Sequence, residues 1–82
     1  MSIQVLYFAA LRELLGFAEE RLALPEQGLS VEQLLAELER RHPQLGPHRS
    51  SLRVAVNETF VAGEAAVREG DTVALIPPVS GG

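Results

Sequence analysis

The chain contains no cysteine and no lysine. Without cysteine there is no disulfide framework, no thiolate zinc site and no cysteine nucleophile. Without lysine, the seven basic residues are all arginine, set against eleven acidic ones for a formal net charge of −4. That balance speaks against nucleic acid as the main partner, because phosphate binding needs clustered positive charge. No run approaches the ~20 apolar residues of a membrane span. The opening Ser2-Ile3-Gln4 is not the basic-then-apolar start of a secretory signal. No membrane association and a cytoplasmic setting are therefore expected. Eighty-two residues leave room for one small domain. A domain of that size buries only ~60% of its unfolded surface, so its core must be economical.

What is present reads as short strands around one well-specified helix. Ile3 to Phe8 is a β-rich run whose alternation sets Ile3, Val5 and Tyr7 against Gln4, Leu6 and Phe8. A helical turn is predicted over 9–15, with Leu11, Leu14 and Leu15 on one side and Gly16 in the position of a C′ glycine. A second strand is predicted over 19–24, ended by Pro25. Ser30 and Gln33 have the spacing of a capping box, and Leu29 and Leu34 that of a hydrophobic staple. Val31, Leu34, Leu35 and Leu38 then form the apolar stripe of an amphipathic helix that Pro43 stops. At 1.5 Å per residue it is ~18 Å long, enough to cross one face of a small sheet. Further strands are predicted over 52–56, at Phe60-Val61 and over 72–76, with a tight turn at Arg68-Glu69-Gly70-Asp71. Pro77-Pro78 ends regular pairing, since proline lacks the N–H that a ladder needs. This order predicts an α+β fold of the β-grasp, ubiquitin-like kind. A mixed sheet of roughly four to five strands has one main helix across one face. The domain is expected over 1–76, and a flexible extended tail over 77–82.

No internal active site is legible. His42 and His48 have no carboxylate at ligand spacing, so no metal site is expected. Ser30 reads as a helix cap, and Ser50, Ser51 and Ser80 lack a visible base. The ten glutamates read as a solvated acidic surface with no pair suited to acid–base work. No glycine-rich loop follows a strand and opens a helix, so no nucleotide cradle is expected.

The chemistry therefore falls on Pro77-Pro78-Val79-Ser80-Gly81-Gly82. Six extended residues reach ~20 Å. The proline pair favours a stiff polyproline exit from the body. Gly81 and Gly82 have no Cβ and can thread a channel too narrow for any other residue. The carboxylate on Gly82 is unhindered but a poor electrophile. Adenylation would activate it, and a sulfur donor could then displace AMP to leave a thiocarboxylate. An amine in place of sulfur would give an amide, and the protein would be a modifier. Either way an outside enzyme must supply the ATP site. The bland alternative is a frayed end. At a glycine frequency of ~7% a chance terminal pair has odds of ~0.5%.

The chain closely resembles the small, sulfur-carrying subunits of molybdopterin synthase. The resemblance rests on Val5-Leu6-Tyr7-Phe8-Ala9-Ala10-Leu11-Arg12-Glu13-Leu14-Leu15-Gly16, on Val54-Ala55-Val56-Asn57, and on Gly70-Asp71-Thr72 through Pro77-Pro78-Val79-Ser80-Gly81-Gly82. It implies that Gly82 is adenylated by a partner related to ubiquitin-activating enzymes, at the cost of ATP, and then carries sulfur covalently with no other cofactor bound. The tail would insert into the large synthase subunit, in a heterotetramer. There the sulfur attacks a pyranopterin precursor, and two rounds build the dithiolene. The chain would be a non-catalytic, sulfur-donating subunit. The resemblance also implies a hydrophobic docking patch at Phe8, Phe60 and Ile76 and an ion-pair contact at Arg12. Phe60 and Ile76 differ in type from members with Leu and Phe there but stay apolar. The alternatives are the same carrier chemistry toward another acceptor (thiazole, tRNA thiolation or protein conjugation) and a ubiquitin-like binding module with an inert tail.

Overall fold

The computed structural model describes residues 2–78. The expectations for Val79, Ser80, Gly81 and Gly82 lie outside the described residues.

The five-stranded mixed sheet has strand order β2-β1-β7-β4-β5. Its strands are β1 (Ser2–Tyr7), β2 (Glu19–Ala23), β4 (Arg53–Val56), β5 (Thr59–Val61) and β7 (Thr72–Ile76). β1 and β7 run parallel at its centre, and the other neighbours are antiparallel. Two very short strands, β3 (Leu29–Ser30) and β6 (Ala66–Val67), form a separate pair that the sequence reading did not anticipate. Two-residue strands carry no readable alternation.

The main helix α2 (Val31–Arg41) starts as expected. The Gln33 N–H donates to the Ser30 hydroxyl at 3.1 Å, and the Ser30 N–H donates to the Gln33 side chain at 2.9 Å. The two bonds satisfy donors that a helix start leaves without intrahelical partners. At its far end Arg40 and Arg41 both donate to Glu37, which holds that carboxyl down at about 2. Val31, Leu34 and Leu38 are buried and Leu35 half-buried, so the predicted stripe faces the sheet. It meets Ile3, Val5 and Tyr7 of β1, Leu22 of β2, Val54 of β4 and Val73 and Leu75 of β7 in one core.

The short helix α1 (Ala10–Leu15) ends on Gly16 at φ 84, where the Gly16 N–H donates to the Arg12 carbonyl at 2.9 Å. Left-handed backbone there suits a residue without Cβ. Leu11 is buried on this helix, but Leu14 is 40% exposed, against the expectation of one apolar side. Leu15 is half-buried against the core, so only the Leu11–Leu15 edge of this helix is covered and Leu14 is left at the solvent border. After Pro43 the chain does not pass directly to a strand. Pro43–Ser51 winds as 3₁₀ turns that seat Leu45 in the core.

Two sequence motifs meet at the β4–β5 hairpin. Asn57 and Glu58 form its two-residue turn with φ 50 and 71, the positive-φ pair that matches strand twist. Asn57 is also the anchor of β7. Its side chain accepts from the Thr72 N–H at 3.0 Å and donates to the Asp71 carboxylate at 2.9 Å. Asp71 in turn accepts from the Arg68 N–H at 2.8 Å, closing the tight turn in which Gly70 takes φ 84. Val54-Ala55-Val56-Asn57 and Gly70-Asp71-Thr72 thus form one hydrogen-bonded unit that sets where β7, and the segment after it, leaves the sheet.

Candidate functional site

The helix covers one sheet face, and the site lies on the other. Residues paired in register across a sheet project to the same face. Leu6 pairs with Ala74, Ala74 with Ala55, and Ala55 with Phe60. One transverse row therefore runs Leu6, Ala74, Ala55, Phe60 across four strands. Two alanines at its middle and larger side chains at its ends make a concavity of about 490 Å³. Phe8 and Ile76 close the end beside the exit of β7, and Asn57, Glu58 and Thr72 line the remainder. Phe8 follows β1 directly and is held to β7 by its N–H, which donates to the Leu75 carbonyl at 3.2 Å.

Three of the four predicted contact residues, Phe8, Phe60 and Ile76, thus line one trough, although they come from three different parts of the chain. Phe8 is 43% and Phe60 53% exposed. Large aromatic side chains left this open on one concave face make it a candidate interaction surface. Arg12 does not line the trough; it is exposed on α1. Ile76 is the last residue of β7, so the predicted tail leaves from the trough's rim. Pro77 is half-buried and Pro78 exposed.

A second cluster was missed from the sequence. Tyr7, buried within the core, donates its hydroxyl to Glu20, and the ring nitrogen Nε2 of His42 lies 2.8 Å from the same carboxylate oxygen. Phe17 packs edge-on to Tyr7 with centroids 5.5 Å apart, and tilted against His42 at 5.4 Å. His42 has no carboxylate at ligand spacing along the chain, but the fold brings Glu20 to it, and the expectation of a solvated glutamate surface is corrected for Glu20: both side chains are only about one-fifth exposed. A signal was available, because Glu20 shares the inward row of Leu22 and Leu24 on β2. The partners are 13 and 22 residues apart, however, and only the β1–β2 pairing and the end of α2 bring them together.

Burial, then the Glu20 hydrogen bond and charge, push the Tyr7 hydroxyl far above the ordinary tyrosine value. The folded state therefore holds this proton more tightly than the unfolded chain does. Its stabilising contribution is complete below the unfolded value of ~10 and declines as pH rises above it. Denaturant melts at increasing alkaline pH should show stability falling in the native chain. In Tyr7→Phe that decline should be much reduced, with a cost of about 1 kcal/mol at neutral pH from the lost hydrogen bond. Equal alkaline slopes in both proteins would contradict this assignment. Tyr7 is the only tyrosine, so tyrosinate absorbance reports it directly.

Among the described residues, no helix is long and apolar enough to cross a membrane. No group of three or more His, Cys, Asp or Glu among them is placed to hold a metal ion.

Comparison with known proteins adds sequence-wide likeness to this geometry. The ThiS family matches residues 5–82. The molybdopterin synthase sulfur carrier subunit of Chlamydomonas reinhardtii is 40% identical, with all of both chains aligned. Among solved structures, a molybdopterin converting factor subunit 1 from Pyrococcus furiosus superposes with TM-score 0.84 at 32% identity, covering 96% of this chain and 99% of that one. SAMP1 from Haloferax volcanii superposes equally well, with TM-score 0.84 at 31% identity over the whole of both chains. These likenesses bear out the β-grasp expectation.

Proposed function

We propose, because the chain belongs to the ThiS family, that it is the sulfur carrier subunit of a molybdopterin synthase, acting in the cytoplasm with Gly82 as the carrier atom's anchor. The observation that supports this reading is the apolar trough at the root of the tail. A partner seated on Phe8, Phe60 and Ile76 would receive the segment after β7 at a fixed position and direction. Pro77 and Pro78 would hold that segment extended. Val79, Ser80, Gly81 and Gly82 would enter the partner's active site as a slim strand with no bulky side chain near its end.

The chemistry belongs to the chain end. An adenylating enzyme joins the Gly82 carboxylate to the AMP part of ATP with release of pyrophosphate, a sulfur donor at the sulfide level displaces AMP, and the thiocarboxylate is left. In the large synthase subunit that sulfur attacks the pyranopterin precursor, water then cleaves the bond between the Gly82 carbonyl carbon and the sulfur, and the chain leaves with an ordinary carboxylate while the sulfur stays on the precursor. The precursor's phosphate needs a basic pocket. A carrier with net charge −4 and no lysine is poorly suited to supply one, so the large subunit must.

The likeness to SAMP1, a small archaeal modifier protein, favours one second reading, in which an amine on another protein takes the place of sulfur. Intact mass of the chain co-produced with its activating enzyme separates the two. A species heavier by the difference between sulfur and oxygen, lost on incubation with large subunit and precursor, is the expected result. Gly82 found only as carboxylate or in amide linkage to other proteins would overturn the carrier reading.

A further inference from the structure

A cation flanks the trough next to Ile76 and Phe60, just outside its lining. Arg53 pairs in register with Ile76, is exposed, and holds its guanidinium carbon 4.2 Å from the centre of the Phe60 ring. Three arginines of the fold answer carboxylates: Arg40 and Arg41 pair with Glu37, and Arg49 with Glu32 and Glu39. Arg53 has no carboxylate partner among the described residues. A cation–π contact uses the charge of a guanidinium but not its five N–H donors. The stack on Phe60 therefore fixes the position of Arg53 while leaving its hydrogen-bonding fork open.

We infer that the surface docking on this trough presents an aspartate or glutamate to Arg53, which makes the Arg53–Phe60 pair the charged, orienting contact of an otherwise apolar interface. The reasoning is one of desolvation. Any partner that covers Phe60 and Ile76 also covers Arg53, which touches the first and lies across from the second. A cation removed from water without an acceptor costs several kcal/mol, and a bidentate carboxylate offsets that cost best. The other end of the trough carries Glu58, so the face is dipolar, with its positive end at the tail root. Reversing the partner along the trough would place its carboxylate against Glu58. Electrostatic pairing of this kind selects register and partner more than it adds affinity.

This inference rests on the docking reading above, and the test keeps the two apart. The full chain and the purified large synthase subunit are titrated against each other by calorimetry, at low and moderate salt. Three variants are compared with the native chain: Arg53→Glu, Arg53→Leu and Phe8→Asp. Arg53→Glu should weaken binding by about 100-fold or more, and Arg53→Leu by about 10-fold, since it leaves the partner's carboxylate unpaired. The salt dependence seen with native chain should flatten in Arg53→Leu. Arg53 is exposed, so melting curves should be near native and exclude a folding defect. If Phe8→Asp destroys binding while Arg53→Glu binds within about twofold of native, or Arg53→Leu binds more tightly, the carboxylate inference is wrong and the docking face stands. If Phe8→Asp also binds normally, the docking reading itself fails.

Discussion

Deleting Gly82 alone is expected to abolish dithiolene formation in the reconstituted synthase while leaving the melting temperature unchanged. The two halves of this result have separate causes. Ile76 is the last residue of β7, and among the described residues every buried core residue lies between Ile3 and Leu75. Pro77 and Pro78 have no N–H to give to a ladder, so nothing after Ile76 extends the sheet through these two. Losing one residue beyond them is expected to leave the core between Ile3 and Leu75 in place. The chemistry, by contrast, depends on reach. A residue of extended chain spans ~3.4 Å, so a thiocarboxylate on Gly81 would stop about that far short of the reacting carbon. Misplacement by ~1 Å already costs a reaction about 100-fold, so this shortfall leaves no useful rate. The measurement is precursor conversion by large subunit supplied with chemically thiocarboxylated chain, full-length or shortened, which removes the activating enzyme from the comparison. Conversion by the shortened chain at a rate near that of the full chain would refute the assignment of Gly82.

Placing a carboxylate in the trough should have the second largest effect. Phe8→Asp is expected to raise the dissociation constant for the large subunit by about 1,000-fold, with the fold intact. Burying the remaining 43% of the Phe8 surface contributes roughly 1 kcal/mol, and an unpaired carboxylate sealed in an apolar contact costs about 3 kcal/mol or more. Together these reach the ~4 kcal/mol that a 1,000-fold change represents. Stability should hold because Phe8 is 43% exposed and lies outside the buried core. Its backbone bond to Leu75 does not depend on its side chain. Calorimetric titration beside a melting curve reads both quantities. A variant that melts as native and still binds tightly would remove Phe8 from the interface.

The legible parts of this protein are those encoded by local pattern. The capping box of Ser30 and Gln33, the stripe through Val31, Leu34 and Leu38, the C′ role of Gly16 and the bounds of β7 over 72–76 each follow from residues within one or two turns of each other. The alternation of β1 also sorts its side chains correctly, with Ile3, Val5 and Tyr7 inward and Leu6 turned to the trough. The missed parts lack such a pattern. β3 and β6 are too short to alternate, and helical spacing alone does not say which edge of α1 the rest of the fold covers, so Leu14 stays exposed beside buried Leu11. The Tyr7–Glu20–His42 cluster is the clearest case, because a polar residue on an inward row looks like a fault until its partners arrive from other strands.

The amino-acid order by itself determined the main helix and the strands of the five-stranded sheet, which side of the longer strands is apolar, and the glycine-ended tail as the candidate for reactive chemistry. These depend on spacings of two, three and four residues, which a linear reading contains. Strand order and register belonged to the tertiary structure. The row Leu6, Ala74, Ala55, Phe60 exists only because β7 inserts between β1 and β4 with one pairing and not its neighbour. A slip of one residue would turn each of these side chains to the opposite face. Arg53 beside Ile76 and over Phe60 is of the same kind. No spacing in the sequence announces it, because hydrogen bonds between distant strands, closed by the core beneath them, are what place the charge at the root of the tail.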